Sequence, residues 1–205
     1  MTELLARLAE SGAEYYRRGW MLATAGNLSV RDPEDASRYF VTASGGHKGR
    51  LRAERDFLRF ELGMKNPQPA GVKSSAETVV HDLIYALIPE AQSIHHVHSP
   101  KVTLVSRLIG GGNLWELKDF EYIKALGFWG EGDVVRVPVV VNHHHIPSLG
   151  DAVERAARLD ARVPAVLVDG HGVYAWGDSI DAAQRHIEAL EFLADMTWEE
   201  RFRPR

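Results

Sequence analysis

Residues 27–42 read NLSVRDPEDASRYFVT: two β-like runs, Asn27–Arg31 and Arg38–Thr42, on either side of a turn-forming Asp32-Pro33 step. A parallel pair needs a crossover of about a dozen residues or more, and only a short turn is available here, so the two runs predict an antiparallel hairpin. A third run, Asp56–Phe60, follows beyond Gly45-Gly46 and continues the antiparallel part.

Upstream, Leu4, Leu5, Leu8, Gly12 and Tyr15 recur at helical spacing behind Thr2 as a cap, with Gly19 as a stop. Downstream, Ser75–Ile88 reads as a helix capped by Ser75, stopped by Pro89, and buried through Val79, Val80, Leu83, Ile84 and Leu87. A strand at Ser93–Val97 comes next. Helices are expected at Lys101–Leu108, around Leu117–Leu126, at Asp151–Asp160 and at Ser179–Arg201; strands are expected at Val134–Val141, Ala165–Val168 and Gly172–Trp176, the last two as a hairpin. The expectation is an α/β fold, a single three-layer αβα domain over residues 1–205 with a mixed, largely antiparallel central sheet.

The chain has 205 residues, 24 Lys plus Arg against 28 Asp plus Glu, ten His and no Cys. Such a length can bury a full core. The slight net charge of -4 gives no field for gathering nucleic acid, and no apolar run approaches the ~20 residues that span a bilayer. The expected protein is soluble and intracellular, with neither nucleic acid nor membrane as partner. Without thiolates, any transition-metal site must be built from His and carboxylates.

The sharpest chemical signal is Ile94-His95-His96-Val97-His98-Ser99. Side chains alternate along a strand, so His96 and His98 share one face and His95 takes the other. A matched pair of imidazoles is either a two-ligand metal grip or a solvated polar pair. His171, between Gly170 and Gly172 at a turn, is the best third ligand. The triplet His143-His144-His145 is weaker, because adjacent loop residues rarely converge on one ion. His81 follows Glu77 by four residues on one helical face and reads as a supporting group; His47 and His186 receive no role. Three segments rich in Gly, Ser and Thr, Thr24–Asn27, Thr42–Gly46 and Lys73–Ser75, could cradle a phosphate with backbone N–H groups and hydroxyls.

Taken in order, AGNLSVR (25–31), VTASGG (41–46), KSSAE (73–77), HVH (96–98) and HG (171–172) resemble the class II aldolase/adducin-like family over nearly the whole chain. The resemblance implies a divalent metal, usually Zn2+, one per subunit, held by His96, His98 and His171. It implies phosphate binding by Asn27, Thr42, Gly45 and Ser75, helped by Lys48 or Lys73. Residues 41–45, 75–78, 121–127 and 171–177 are similar to the branch of that family that dehydrates a methylthio-substituted ketose 1-phosphate in methionine salvage. For that branch Glu121 is implied as acid/base and Glu77 as metal neighbour or base. A sugar-phosphate aldolase or pentulose-phosphate epimerase would instead rely on Glu77, and a non-catalytic adducin-like module would need no metal. Relatives form homo-oligomers, so a cytoplasmic homotetramer with active sites near subunit contacts is expected. Three departures stand out: Ser74, His95, and Asp119-Phe120 where a Gly-Gln pair is more usual.

Overall fold

The computed structural model describes residues 1–64, 71 and 73–202. The hairpin forms as expected: β1 (Asn27–Asp32) and β2 (Asp35–Thr42) pair antiparallel with Ser29 opposite Val41, and β3 (Phe57–Glu61) adds to the outer edge of β2. The other edge of β1 takes β4 (Ser93–Val97), antiparallel, with Asn27 opposite His96. With β5 (Leu114–Lys118), β6 (Val134–Val140), β7 (Ala165–Val168) and β8 (Gly172–Gly177), the sheet runs β3-β2-β1-β4-β8-β7-β6-β5. Only the β6–β7 neighbours are parallel.

Helices α2 (Thr78–Leu87) and α4 (Ile146–Ala157) cover one face, packing Val80, Ile84, Leu149 and Val153 over Val41, Ile94, Val166 and Tyr174. The opposite face, with Leu28, Val30, Val97 and Val173, is covered by α1 (Thr2–Arg17), α3 (Pro100–Ile109) and α5 (Ile180–Phe202). This is the three-layer αβα architecture with a mixed, largely antiparallel sheet. Each strand in the centre is buried on both sides, and β7 and β8 accordingly read as nearly continuous apolar runs, while β4 carries Ser93, His95 and His96 into the interior.

Several expectations need correction. The helix expected over 117–126 is the strand β5 followed by a 3-10 turn, Glu121–Leu126. In β5 burial alternates, with Trp115 and Leu117 inside and Glu116 and Lys118 outside, and the strand pairs with β6. Asp119, at φ 61°, then turns the chain. Ser75 is not the cap of α2, whose first helical residue is Thr78; its hydroxyl accepts instead from the Glu77 N–H. The buried stripe of α2 is also rotated, since Val79 is exposed while His81 and Tyr85 are buried. Thr2 lies inside α1 rather than capping it, and α4 begins at Ile146, where Pro147 fits the first turn because the N–H it lacks has no helical acceptor.

His95 points away from His96, as alternation requires. Ser93 Oγ donates to the Ser29 carbonyl, so it accepts from His95 Nε2–H at 3.1 Å, and His95 Nδ1 accepts from the Tyr15 hydroxyl at 2.7 Å. Burial pushes the pKa of His95, and likewise that of His81, down to about 3. Between that value and about 6.5 the unfolded chain binds protons at these residues and the folded chain does not. Stability therefore rises with pH across this window and is lost as pH falls through it, at up to about 1.4 kcal/mol per pH unit for each residue. Denaturation at pH 5.5 should show a clearly lower unfolding free energy than at pH 7.5; a flat profile would contradict these buried neutral rings.

Candidate metal centre and active site

Four chain segments meet at one end of the sheet: the exit of β4, the β7–β8 turn, the entry of β1 and the residues leading into α2. Two glycines permit the close approach. A Cβ on Gly172 would fall 2.3 Å from the Val97 carbonyl oxygen, and one on Gly26, at φ 73°, would fall 2.5 Å from the His96 carbonyl oxygen.

His96 Nδ1 lies 3.0 Å from the Val173 carbonyl, which can only accept, so Nδ1 carries the proton and Nε2 presents a lone pair. His98 Nε2 is 3.1 Å from that atom, and His171 completes a group whose ligand atoms all lie within 4.8 Å of one another. Ion–nitrogen bonds of about 2.0–2.1 Å at tetrahedral angles separate two nitrogens by about 3.3 Å, close to the His96–His98 spacing, so this donor set suits a divalent metal ion. The His96 ring is further fixed by Tyr174, stacked at 4.0 Å between centroids and 9° between planes. Burial lowers the pKa of all three imidazoles, that of His98 to about 4, with the neighbouring imidazoles adding to the effect on His96 and His98. For His171, the Glu77 charge opposes the shift. The rings are therefore neutral near pH 7, the protonation state a metal needs.

Glu77 sits between the ligands. Its Oε1 is 3.3 Å from His171 Nε2 and its Oε2 is 3.6 Å from His96 Nε2, while Asn27 Nδ2 donates to Oε2 at 2.9 Å. It immediately precedes α2, where the helix dipole favours a negative charge. His81 is a neighbour of this group, bonded to Asn27 Oδ1 and to Ser29 Oγ.

Of the expected phosphate-binding residues, Asn27 and Ser75 are joined here by a 3.4 Å contact. Thr42 is buried at the end of β2, with its hydroxyl accepting from the Leu28 N–H. Gly45, at φ 74°, is exposed in the turn beyond Thr42. Lys48, only 1 % exposed, reaches back to the Thr24 and Gly46 carbonyls and braces that turn, while Lys73 accepts a bond from Ser44 through its own carbonyl.

Glu121 does not join this cluster within one chain. Its side chain is 82 % exposed, pairs with Lys124, and borders a separate cavity with Asp119, Phe128 and Trp129. Glu121 thus faces solvent in the isolated chain, because the 3-10 turn directs Ile123 rather than Glu121 into the core. His143 and His144 line a cavity of about 290 Å³ together with His98 and His171, so the triplet lies nearer the centre than loop statistics suggest. Tyr174 and the Val173 carbonyl were not singled out from sequence as functional; the register that places Tyr174 opposite His96 is what identifies them.

The chain is similar to known proteins in sequence and in fold. The family model of the class II aldolase and adducin N-terminal domain matches residues 6–198. Curated relatives named methylthioribulose-1-phosphate dehydratase include that of Microcystis aeruginosa, 38 % identical with 94 % of each chain covered. The one from Methylococcus capsulatus is 42 % identical, with 93 % of this chain and 91 % of the relative covered. Among solved structures, L-fuculose-1-phosphate aldolase of Thermus thermophilus superposes with a TM-score of 0.75 at 28 % identity, covering 98 % of this chain and 97 % of that one. With its family-ordered motifs meeting at one end of an eight-stranded sheet, this chain belongs to the class II aldolase and adducin family.

Proposed function

We propose that this chain is a methylthioribulose-1-phosphate dehydratase, converting 5-methylthioribulose 1-phosphate to 2,3-diketo-5-methylthiopentyl 1-phosphate in methionine salvage. The observation that carries the reading is that curated relatives of that name align over more than nine-tenths of both chains. His96, His98 and His171 would hold one Zn2+ per subunit, and the neutral, convergent imidazoles support this. Bound there, the ion supplies a Lewis acid for the substrate's C2 carbonyl and C3 hydroxyl oxygens.

The chain's own groups do the rest. Asn27, Thr42, Gly45 and Ser75 hold the phosphate with neutral donors, the second Asn27 N–H being spent only on the long contact to Ser75. Glu77, lying against His96 and His171, fixes the orientation of the metal-facing groups. Glu121 takes the proton from C3 and returns one to the departing C4 hydroxyl; the resulting enol becomes the diketone. Because Glu121 faces solvent in one chain, this role places it in the site of a neighbouring copy, in keeping with a homotetramer whose active sites lie at subunit contacts. No helix among the described residues is long and apolar enough to cross a membrane, and we place the enzyme in the cytoplasm.

Chelation followed by Zn2+ addition tests the metal part of this reading: diketone absorbance from the substrate should vanish and return. Activity indifferent to the chelator would refute it. The phosphate assignment has its own test. Loss of a hydrogen bond to a charged group costs about 1.5–3 kcal/mol, so Ser75→Ala should raise KM roughly ten- to a hundredfold. An unchanged KM clears Ser75 of the role.

An aldolase or pentulose-phosphate epimerase is the alternative chemistry for such a site, since both would act on a ketose phosphate at a site of this kind. The fuculose-phosphate aldolase likeness is compatible with it, but the curated relatives favour dehydration over it.

A further inference from the structure

We propose that His81, buried behind the metal centre and touching no ligand position, is a positioning residue that holds Glu77 in place by fixing the amide of Asn27. The inference rests on the reading of this site as a metal-dependent dehydratase and deepens it.

The direction of every bond in the chain of contacts is determined. Glu77 carries a carboxylate, which only accepts, so the Asn27 atom 2.9 Å from Oε2 is the amide nitrogen. Asn27 Oδ1 then faces the opposite way, onto His81 Nε2, which must carry a proton. His81 Nδ1 is consequently a bare acceptor and takes the hydroxyl proton of Ser29 at 2.7 Å. Ser29 Oγ in turn accepts from the Tyr85 hydroxyl at 2.9 Å, and Tyr85 accepts from the backbone of Ile94 in β4. The relay is anchored in two strands and one helix, and its members His81, Ser29 and Tyr85 are buried.

Physical consequence follows from the amide's ambiguity. An asparagine side chain has nearly the same shape in its two flipped orientations, and only its partners choose between them. With the His81 proton in place, the orientation that donates to Glu77 is the one that leaves no atom unpaired. Without it, Asn27 Oδ1 loses its buried donor, the amide is held only through its nitrogen, and the position of Glu77 between His96 and His171 is no longer fixed. The strands need not move for this to happen; the effect is transmitted through one amide.

The test uses a matched pair of substitutions. A Gln side chain can place its amide N–H where His81 Nε2 lies, whereas Asn reaches only the Nδ1 position next to Ser29. H81Q should keep kcat within about threefold of the wild type, and H81N should lower it by about tenfold or more with metal content intact. In an N27A background, H81N should cost less than about threefold further, since the residue through which His81 acts is gone. A role in packing alone would make H81Q and H81N lose activity in proportion to their loss of stability and would make the N27A and H81N effects additive; either result overturns the proposal. In the metal-free protein, 15N shifts of the His81 ring should show Nε2 protonated and Nδ1 bare; a protonated Nδ1 also overturns it. Should the wild-type chain fail to dehydrate the substrate, the functional reading alone falls, and the ring shifts still decide the relay.

Discussion

H98A is expected to lose both its metal and its activity. His98 lies just past the end of β4 and is part-buried, so its removal opens the centre without taking a side chain from either core cluster. The loss falls on the ion directly. His96 Nε2 and His98 Nε2 are 3.1 Å apart, the spacing of two ligands on one tetrahedral ion, and removing His98 leaves only two imidazoles of the group. Even a supporting contact at a metal site is typically worth about 10–100-fold in affinity, and loss of a ligand should exceed that range. Dialysed H98A should therefore carry almost no zinc by elemental analysis and show no measurable dehydration, with a far-UV spectrum like that of the wild type. Full metal occupancy in this variant would refute the three-histidine assignment.

The second large effect concerns the two carboxylates. E121Q preserves shape but cannot transfer a proton, and general acid–base catalysis contributes about 10²–10⁴-fold, so kcat should fall by about that factor while zinc and substrate binding persist. Glu121 is 82 % exposed in the chain and paired only with Lys124, so its participation requires a second copy. Mixing E121Q with H98A should therefore restore activity, because each chain supplies what the other lacks, and light scattering should give the mass of four chains. If E121Q turns over normally while E77Q is dead, the roles are reversed and Glu77, already held against His96 and His171, is the acid/base.

Much of the fold was legible because its rules are local. The β1–β2 hairpin follows from two runs too close for a crossover, and the β7–β8 hairpin follows from two apolar runs on either side of the turn at residues 169–171. The helix expected around Leu117–Leu126 overlaps the end of the Leu114–Lys118 strand, because Ile123 and Leu126 lie at helical spacing while the alternation of Trp115 and Leu117 is too short to decide without the pairing to β6. The rotation of α2 was likewise invisible: His81 and Tyr85 are polar residues carried into the interior by hydrogen bonds to Ser29, a partner far away in the chain. Strand alternation placed His96 and His98 together, and a glycine-flanked turn marked His171. What alternation cannot give is the route from His81 through Asn27 to Glu77, which depends on tertiary contacts across β1, α2 and the segment before it.

The central claim is dehydration of a ketose 1-phosphate at the His96–His98–His171 centre, and the most direct measurement is the mass of the product formed from methylthioribulose 1-phosphate by the zinc-loaded wild-type chain. The account predicts a single product lighter than the substrate by one water, with the carbon skeleton intact. Two smaller fragments from C3–C4 cleavage, or a product of unchanged mass, would contradict it.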